Sequence, residues 1–243
     1  MYQNTGSTNC AFGNNTCQGG TGFENCSFGH QSLFFMTSGS RNCTYGVSSG
    51  IRNTSGTYNC AFGWGALYDN TTGSNNVVVG AQELTIATSY TNIIAIGHFS
   101  QTYLASSSNS IRIGNNVISS ATINVGWTVT SDRRVKENIT DNNLGLDFID
   151  KLRPVSYNRK NDEDKKTEYG LIAQEVEETL ENIGVSNTNM IIKDREGTYG
   201  LRYNDLISIL ITSVQELKNK CELQQQRIDR QDEIIAKLLE KFN

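Results

Sequence analysis

A serine and a lysine five residues apart form the pair of side chains in this sequence best suited to covalent chemistry. Ser131 opens the stretch Ser-Asp-Arg-Arg-Val-Lys, and Lys136 is the first lysine of the chain. A serine hydroxyl becomes a nucleophile when a neighbouring base accepts its proton, and a lysine held neutral can be that base. The pair therefore predicts a junction at which the chain cleaves itself.

The spacing of this pair restricts the local backbone. If residues 131–136 formed one helix, five steps of about 100° each would put the two side chains on different faces. Either Ser131 lies in a non-helical turn, or the lysine that serves it comes from a neighbouring chain. Lys136 would have to be kept deprotonated by burial or by cations, for which Arg133 and Arg134 are candidates. The alternative role for Ser131 is that of a helix N-cap, for which Ser-Asp before a basic stretch is typical.

The composition changes sharply at the same place. Residues 1–130 hold six charged side chains, no lysine and 17 of the 22 glycines, whereas residues 131–243 hold the other 40 charges and the one proline. The chain is therefore predicted to have two domains, 1–130 and 131–243. The net charge of −4, without a clustered basic face, argues against nucleic-acid binding. The polar N-terminus predicts that there is no export signal, and the lack of a long apolar run predicts that there is no membrane insertion.

The first domain is a repeat array. The motif Asn-Cys-Ala-Phe-Gly at residues 9–13 recurs in related form, and its closing glycines lie 16 residues apart once and then 17 apart five times. Such a short, regular period predicts a solenoid. Each unit offers a short β-type run closed by a glycine and a turn. We therefore expect a parallel β-roll of about seven 17-residue coils.

Alternation along each strand puts the first and third motif residues on one face and the middle residue on the other. We expect Cys60 and Phe62 to point inward and Ala61 outward, and likewise in the other coils. The motif cysteines would then form a reduced ladder inside the roll: Cys10, Cys26, Cys43 and Cys60. A second apolar site follows the motif glycine by four residues, at Cys17, Leu33, Leu67 and Leu84. The cysteine and histidine spacing contains no C-x-x-C, so neither a metal site nor a cofactor is expected.

These repeats resemble the β-roll heads of trimeric autotransporter adhesins over roughly residues 4–114. The resemblance implies a trimer of parallel rolls. An export signal and a membrane-anchoring barrel, which that family has, are not found in this sequence, so a bacterial surface adhesin is disfavoured.

The second domain ends in a heptad pattern. Ile207, Val214, Cys221, Ile228 and Ile235 occupy the a positions, and Leu210, Leu217, Gln224, Gln231 and Leu238 occupy the d positions. This predicts a coiled coil over residues 205–243, with two glutamine layers that fix its register. The pattern alone does not set the number of chains; the roll favours three. The alternative is an amphipathic helix packed on its own domain.

Several motifs of the second domain resemble one known family. They are residues 131–139 (SDRRVKENI), 145–149 (GLDFI), 152–157 (LRPVSY), 169–176 (YGLIAQEV) and 199–207 (YGLRYNDLI). In this order they look like the C-terminal intramolecular chaperone and self-cleaving peptidase domain of phage endosialidases, tail fibres and neck appendages. The resemblance implies a small α+β domain and a homotrimer that helps the preceding fibre to fold. It also implies Ser131 as nucleophile, Lys136 as base and Thr130–Ser131 as the scissile bond.

Three functional classes remain. The first is a virion tail fibre or tailspike, made in the host cytoplasm, whose chaperone domain acts once on its own chain as a serine endopeptidase. A host-surface receptor or glycan is then the candidate partner of the roll. The second is a structural trimeric fibre with an inactive dyad. The third is a self-cleaving membrane-tethered transcription factor, which needs a DNA-binding domain and a transmembrane helix that this sequence does not show.

Overall fold

The computed structural model describes residues 8–81, 88–98, 108–115, 117–118, 120–160, 162–186, 188–193 and 197–242. The chain divides into two compact units, one running to Ala121 and the other comprising residues 122–193 and 199–243. Among the helices of the described residues, none combines the length and the apolar character that spanning a membrane requires.

The first unit is a parallel β-solenoid, which confirms the predicted architecture. Its seven strands are β1 (Cys10–Phe12), β2 (Cys26–Phe28), β3 (Cys43–Tyr45), β4 (Cys60–Phe62), β5 (Val77–Val79), β6 (Ile93–Ile96) and β7 (Ser110–Ile113). They form one sheet in chain order, and equivalent motif residues pair across it, as Cys43 does with Cys60. About five turns are described. Parts of the last coils, including Leu84, lie outside the described residues, so the count of seven coils stays a prediction.

The side chains of the strands point opposite to the prediction. Ala61, in the middle of β4, is 1% exposed, whereas its neighbour Phe62 is 54% exposed and Cys60 is also exposed. The same holds for the middle residues of β2, β3, β5 and β6, which are buried: Ser27, Thr44, Val78 and Ala95. In the two end strands the middle residue is exposed (Ala11) or half-buried (Arg112). The predicted cysteine ladder inside the roll is therefore wrong. Cys10, Cys43 and Cys60 are exposed on the outer face, and Cys26 is half-buried there.

A narrow interior explains this reversal. The opposite wall of the coil lies directly against the strand, since the Thr44 Oγ1 and Ser32 Oγ atoms are 2.6 Å apart. A Cβ added at Gly50 would lie 3.1 Å from both Thr44 Cγ2 and Leu33 Cδ2. The middle residues of β2–β6 are correspondingly small (Ser, Thr, Ala, Val and Ala), and the bulkier first and third residues turn outward.

A ladder of asparagines fills the corner before each of the first five strands, β1–β5. In the buried Asn42, Nδ2 donates to Asn25 Oδ1 at 3.0 Å and to the Gly56 carbonyl at 2.9 Å. Its own Oδ1 accepts from the backbone N–H of Asn59 at 3.0 Å. Because each amide joins two coils, the ladder explains why asparagine opens the motif. The second apolar site is confirmed where it is described, since Cys17, Leu33 and Leu67 are buried.

The second unit is a small α+β domain with a long terminal helix, as predicted. Its elements are a 3-10 turn (Arg133–Val135), α1 (Leu146–Ile149), β8 (Val155–Asn158), β9 (Thr167–Gly170), α2 (Ala173–Asn182), β10 (Ile191–Lys193), β11 (Tyr199–Leu201) and α3 (Asp205–Phe242). Two antiparallel hairpins, β8–β9 and β10–β11, flank α2 in the chain. The core consists of Phe148, Val176, Leu180, Met190, Leu206 and Ile209.

Helix α3 uses two faces. One face near its start is buried in its own unit, through Leu206, Ile209 and Ser213. On the same side, the Glu216 carboxylate accepts a hydrogen bond of 2.8 Å from the backbone N–H of Leu146, at the start of α1. The a and d residues predicted for the coiled coil are exposed, among them Ile207, Leu210, Val214, Leu217, Ile228, Ile235 and Leu238. The helix therefore packs on its own domain and still presents an apolar stripe.

Candidate active site

Ser131 and Lys136 lie next to each other in the single chain. Lys136 Nζ donates a hydrogen bond of 2.7 Å to Ser131 Oγ. Ser131 lies outside any helix, and the 3-10 turn at residues 133–135 carries the chain back so that the lysine returns to the serine. Lys136 itself is extended, with φ −117° and ψ 142°. Within this single chain, Ser131 therefore lies in a non-helical turn; a lysine from a neighbouring chain stays a hypothesis.

Asp132, rather than Ser131, caps this turn. Its carboxylate accepts a hydrogen bond from the Arg134 backbone N–H at 2.8 Å. The Arg134 guanidinium donates two further hydrogen bonds to the same carboxylate, from Nη2 at 2.6 Å and from Nε at 3.1 Å. These hydrogen bonds from Arg134 lower the pKa of Asp132 below its usual value. The Ser-Asp pair before a basic stretch did signal a cap, but the aspartate provides it, which leaves the Ser131 hydroxyl to Lys136.

The site is open in the single chain. Thr130, Ser131, Arg133, Arg134 and Lys136 are all exposed. Arg134, one of the two predicted cationic neighbours of the lysine, has its charge offset by Asp132. Burial or an unpaired cation is what makes a lysine release its proton. The single chain therefore brings the two side chains together but does not bury Lys136, so burial would have to come from contacts outside this chain.

The outer face of the roll is a second candidate feature. It is formed by the cysteine and aromatic motif residues that the sequence was expected to place inside. We call the outward first and third motif residues of β1–β7 the outer ladder. Its aromatic rings follow one another along the sheet, with centroids 5.7 Å apart for Phe28–Tyr45 and 4.9 Å for the stacked Tyr45–Phe62 pair. Burial and the neighbouring thiols of Cys43 and Cys10 raise the pKa of Cys26. The narrowness of the coil was the missing signal, because alternation alone marks two faces without saying which is inside.

Neither feature is built as a metal site. Within the described ranges, no three side chains of His, Cys, Asp or Glu come together in a way that could hold a metal ion. The two histidines, His30 and His98, lie on the exposed turns that follow motif glycines.

The comparison with family models bears on the second unit. Residues 131–185 match the family described as the chaperone of endosialidase. This confirms the predicted resemblance, and the match begins at Ser131. It supports a chaperone role and a domain of self-cleaving peptidase type for the second unit. Comparison with curated proteins and with solved structures gave no match.

Proposed function

We propose that this chain is the C-terminal region of a viral tail fibre or tailspike, which assembles as a homotrimer and then cuts itself between Thr130 and Ser131. The second unit would be a chaperone that is discarded once the β-roll has folded. The observation that carries the proposal is the 2.7 Å contact between Lys136 Nζ and Ser131 Oγ. It lies at the first residue of the family match.

The proposed reaction is an acyl transfer within one chain. Neutral Lys136 accepts the proton of Ser131 Oγ, which attacks the Thr130 carbonyl carbon. The bond from that carbon to the Ser131 nitrogen then breaks, and the lysine returns the proton to the nitrogen. Water opens the resulting ester, which leaves a carboxylate on Thr130 and a free amino group on Ser131. In a direct route, the base activates water for attack on the same carbonyl.

Assembly can supply what the open site lacks. The a and d positions of α3 present an apolar stripe that has no partner within the described residues. The outer ladder presents a second one on the roll, with Phe12, Tyr45 and Phe62 each more than half exposed. Burying both stripes between chains is favourable, and a trimer that also buries Lys136 would favour its neutral form. Cleavage would then report that assembly has taken place.

A chaperone of this kind has a physical reason to exist. Parallel coils pair residues about one coil apart and have no tight hairpins. The entropy cost of closing each coil therefore arises before strand pairing contributes any favourable free energy. A coiled coil at one end keeps three chains at high effective concentration and lowers that barrier. After cleavage, the asparagine ladder and the buried middle residues would hold the released roll, which we propose as the part that meets a host surface.

The test of cleavage is the mass of the purified protein. The wild-type chain should give fragments 1–130 and 131–243, whereas Ser131→Ala and Lys136→Ala should remain whole. Lys136→Arg should also remain whole, because an arginine keeps its proton. Lys151→Ala, which removes an exposed lysine elsewhere in the unit, is the matched control and should cleave normally. Cleavage at another bond, or normal cleavage of Ser131→Ala, would refute the assignment.

The dependence on assembly has its own test. Ile228→Asp puts a charge at an a position of α3, whereas Gln226→Asp puts the same charge at the outward f position. The first variant should lose both the trimer, measured by light scattering, and cleavage; the second should keep both. An intact wild-type trimer that never cleaves would favour the alternative, a structural fibre with an inactive dyad.

A further inference from the structure

The segment immediately before the scissile bond has the pattern of a β-strand without a strand to pair with. Residues 122–130, which we call the link, read Thr-Ile-Asn-Val-Gly-Trp-Thr-Val-Thr. Ile123, Val125, Trp127 and Val129 alternate with small or polar residues, which puts all four on one face of an extended chain. Such strict alternation is typical of a strand with one buried face.

Among the described residues of the single chain, nothing covers that face. Val125 and Trp127 are each 79% exposed, and Ile123 and Val129 are also more than half exposed. The link has no helix or strand, and its backbone makes no hydrogen bond within the described part of the chain. Water therefore surrounds four large apolar side chains and a row of unpaired amides. A soluble protein rarely leaves such a row open, because it is a template for pairing with another chain.

The charge pattern identifies the kind of partner. From Ile113 to Ser131 the sequence has no charged residue, so the link offers nothing to complement a charged ligand and carries none of the charges that keep exposed strands apart. Identical uncharged copies meet without like-charge repulsion. A parallel coiled coil through α3 would bring equivalent residues of three chains to the same height. Equivalent links would then lie side by side in register.

We propose that the link is an inter-chain clamp: in the assembled protein the links of three copies pair through their backbones, and their Ile123, Val125, Trp127 and Val129 side chains pack on one another. The inference rests on the proposed homotrimer and goes beyond it. Because the scissile bond follows Thr130, the clamp stays with the roll when the coiled coil leaves. It therefore takes over from α3 the task of holding the three released chains together at their new C-terminal ends.

The first experiment uses the full-length Ser131→Ala chain, so it does not depend on cleavage. Hydrogen exchange of peptides that cover residues 122–130 should be about tenfold or more slower than exchange of the same peptides when unfolded, as expected for paired amides. Trp127 emission, isolated by Trp64→Phe, should be blue-shifted. Light scattering on the same sample gives the number of chains. A trimer with fast exchange and red emission overturns the clamp alone, whereas a monomer overturns both the clamp and the proposed homotrimer.

A matched pair of variants tests the apolar face. Val125→Asp puts a carboxylate among the four side chains, and Asn124→Asp puts the same carboxylate on the opposite face one residue earlier. In the Ser131→Ala chain, Val125→Asp should lose the slow exchange and the blue shift while α3 still holds three chains. In the cleaving chain, the 1–130 trimer that Val125→Asp releases should dissociate at a higher protein concentration than the trimer that Asn124→Asp releases. Equal behaviour of the two variants overturns the proposal.

Discussion

Removal of one rung of the asparagine ladder tests the energetics of the roll. Asn59 is 2% exposed, and Asn59→Ala deletes an amide that bonds to the coils on both sides of it. The Nδ2 atom donates to Asn42 Oδ1 at 3.0 Å and to the Gly73 carbonyl at 2.9 Å. The Oδ1 atom accepts from the backbone N–H of Asn76 at 3.1 Å.

The consequences for the three partners differ. The Gly73 carbonyl keeps a donor in Asn70 Nδ2 at 2.9 Å, and Asn42 Oδ1 keeps the backbone N–H of residue 59 at 3.0 Å. The N–H of the fully buried Asn76 loses its acceptor, which costs about 1–3 kcal/mol. The two other lost bonds cost about 0.5–1.5 kcal/mol each. We therefore expect Asn59→Ala to lower the free energy of unfolding by about 2–6 kcal/mol per chain.

The measurement is urea unfolding of the uncleaved Ser131→Ala chain, followed by circular dichroism of the β-structure. Asn14→Ala is the matched control: Asn14 is exposed in the same unit and its side chain makes no hydrogen bond within the described residues. The control should stay within about 0.5 kcal/mol of the parent. If Asn59→Ala also stays within that range, the ladder does not hold the coils together and the reasoning is wrong.

Three further outcomes are expected. Ala61→Leu should prevent the roll from forming, because its side chain points into the closed interior, whereas Cys60→Leu adds bulk to the outer ladder and should leave the circular dichroism spectrum unchanged. Glu216→Ala should destabilise the second unit by about 1 kcal/mol, since it uncaps the first turn of α1, and Glu216→Gln should restore most of that loss in urea unfolding. The hydrogen bonds from Arg153 lower the pKa of Glu175; its stabilisation is therefore complete above the unfolded-state pKa of about 4.3 and is lost as the pH falls through the lower folded-state pKa. Arg153→Ala should remove that part of the acid sensitivity of unfolding, and an unchanged pH profile would contradict it.

Local repetition in the sequence was enough to predict the architecture. The spacing of the motif glycines gave the coil period, and the recurrence of a short β-type run gave parallel strands in register. The heptads of residues 205–243 predicted the terminal helix and its apolar stripe. The motifs that begin at Ser131 predicted the chaperone family. These features depend on residues near one another in the chain or on a regular period, so a single sequence contains them.

The tertiary structure decided which face of each strand points into the roll, and it decided the geometry of the site. Alternation separates Ala61 from Cys60 and Phe62 but does not say which face is inside, and the rule that large apolar residues are buried gave the wrong answer. The space left between facing walls of a coil decides it, and that space exists only when coils stack. Likewise, the five-position separation of Ser131 and Lys136 in the sequence permitted either contact or separation of their side chains. The Asp132 carboxylate caps the 3-10 turn by accepting a hydrogen bond from the Arg134 backbone N–H. Ser131 therefore lies before the turn, and the turn brings Lys136 back to it.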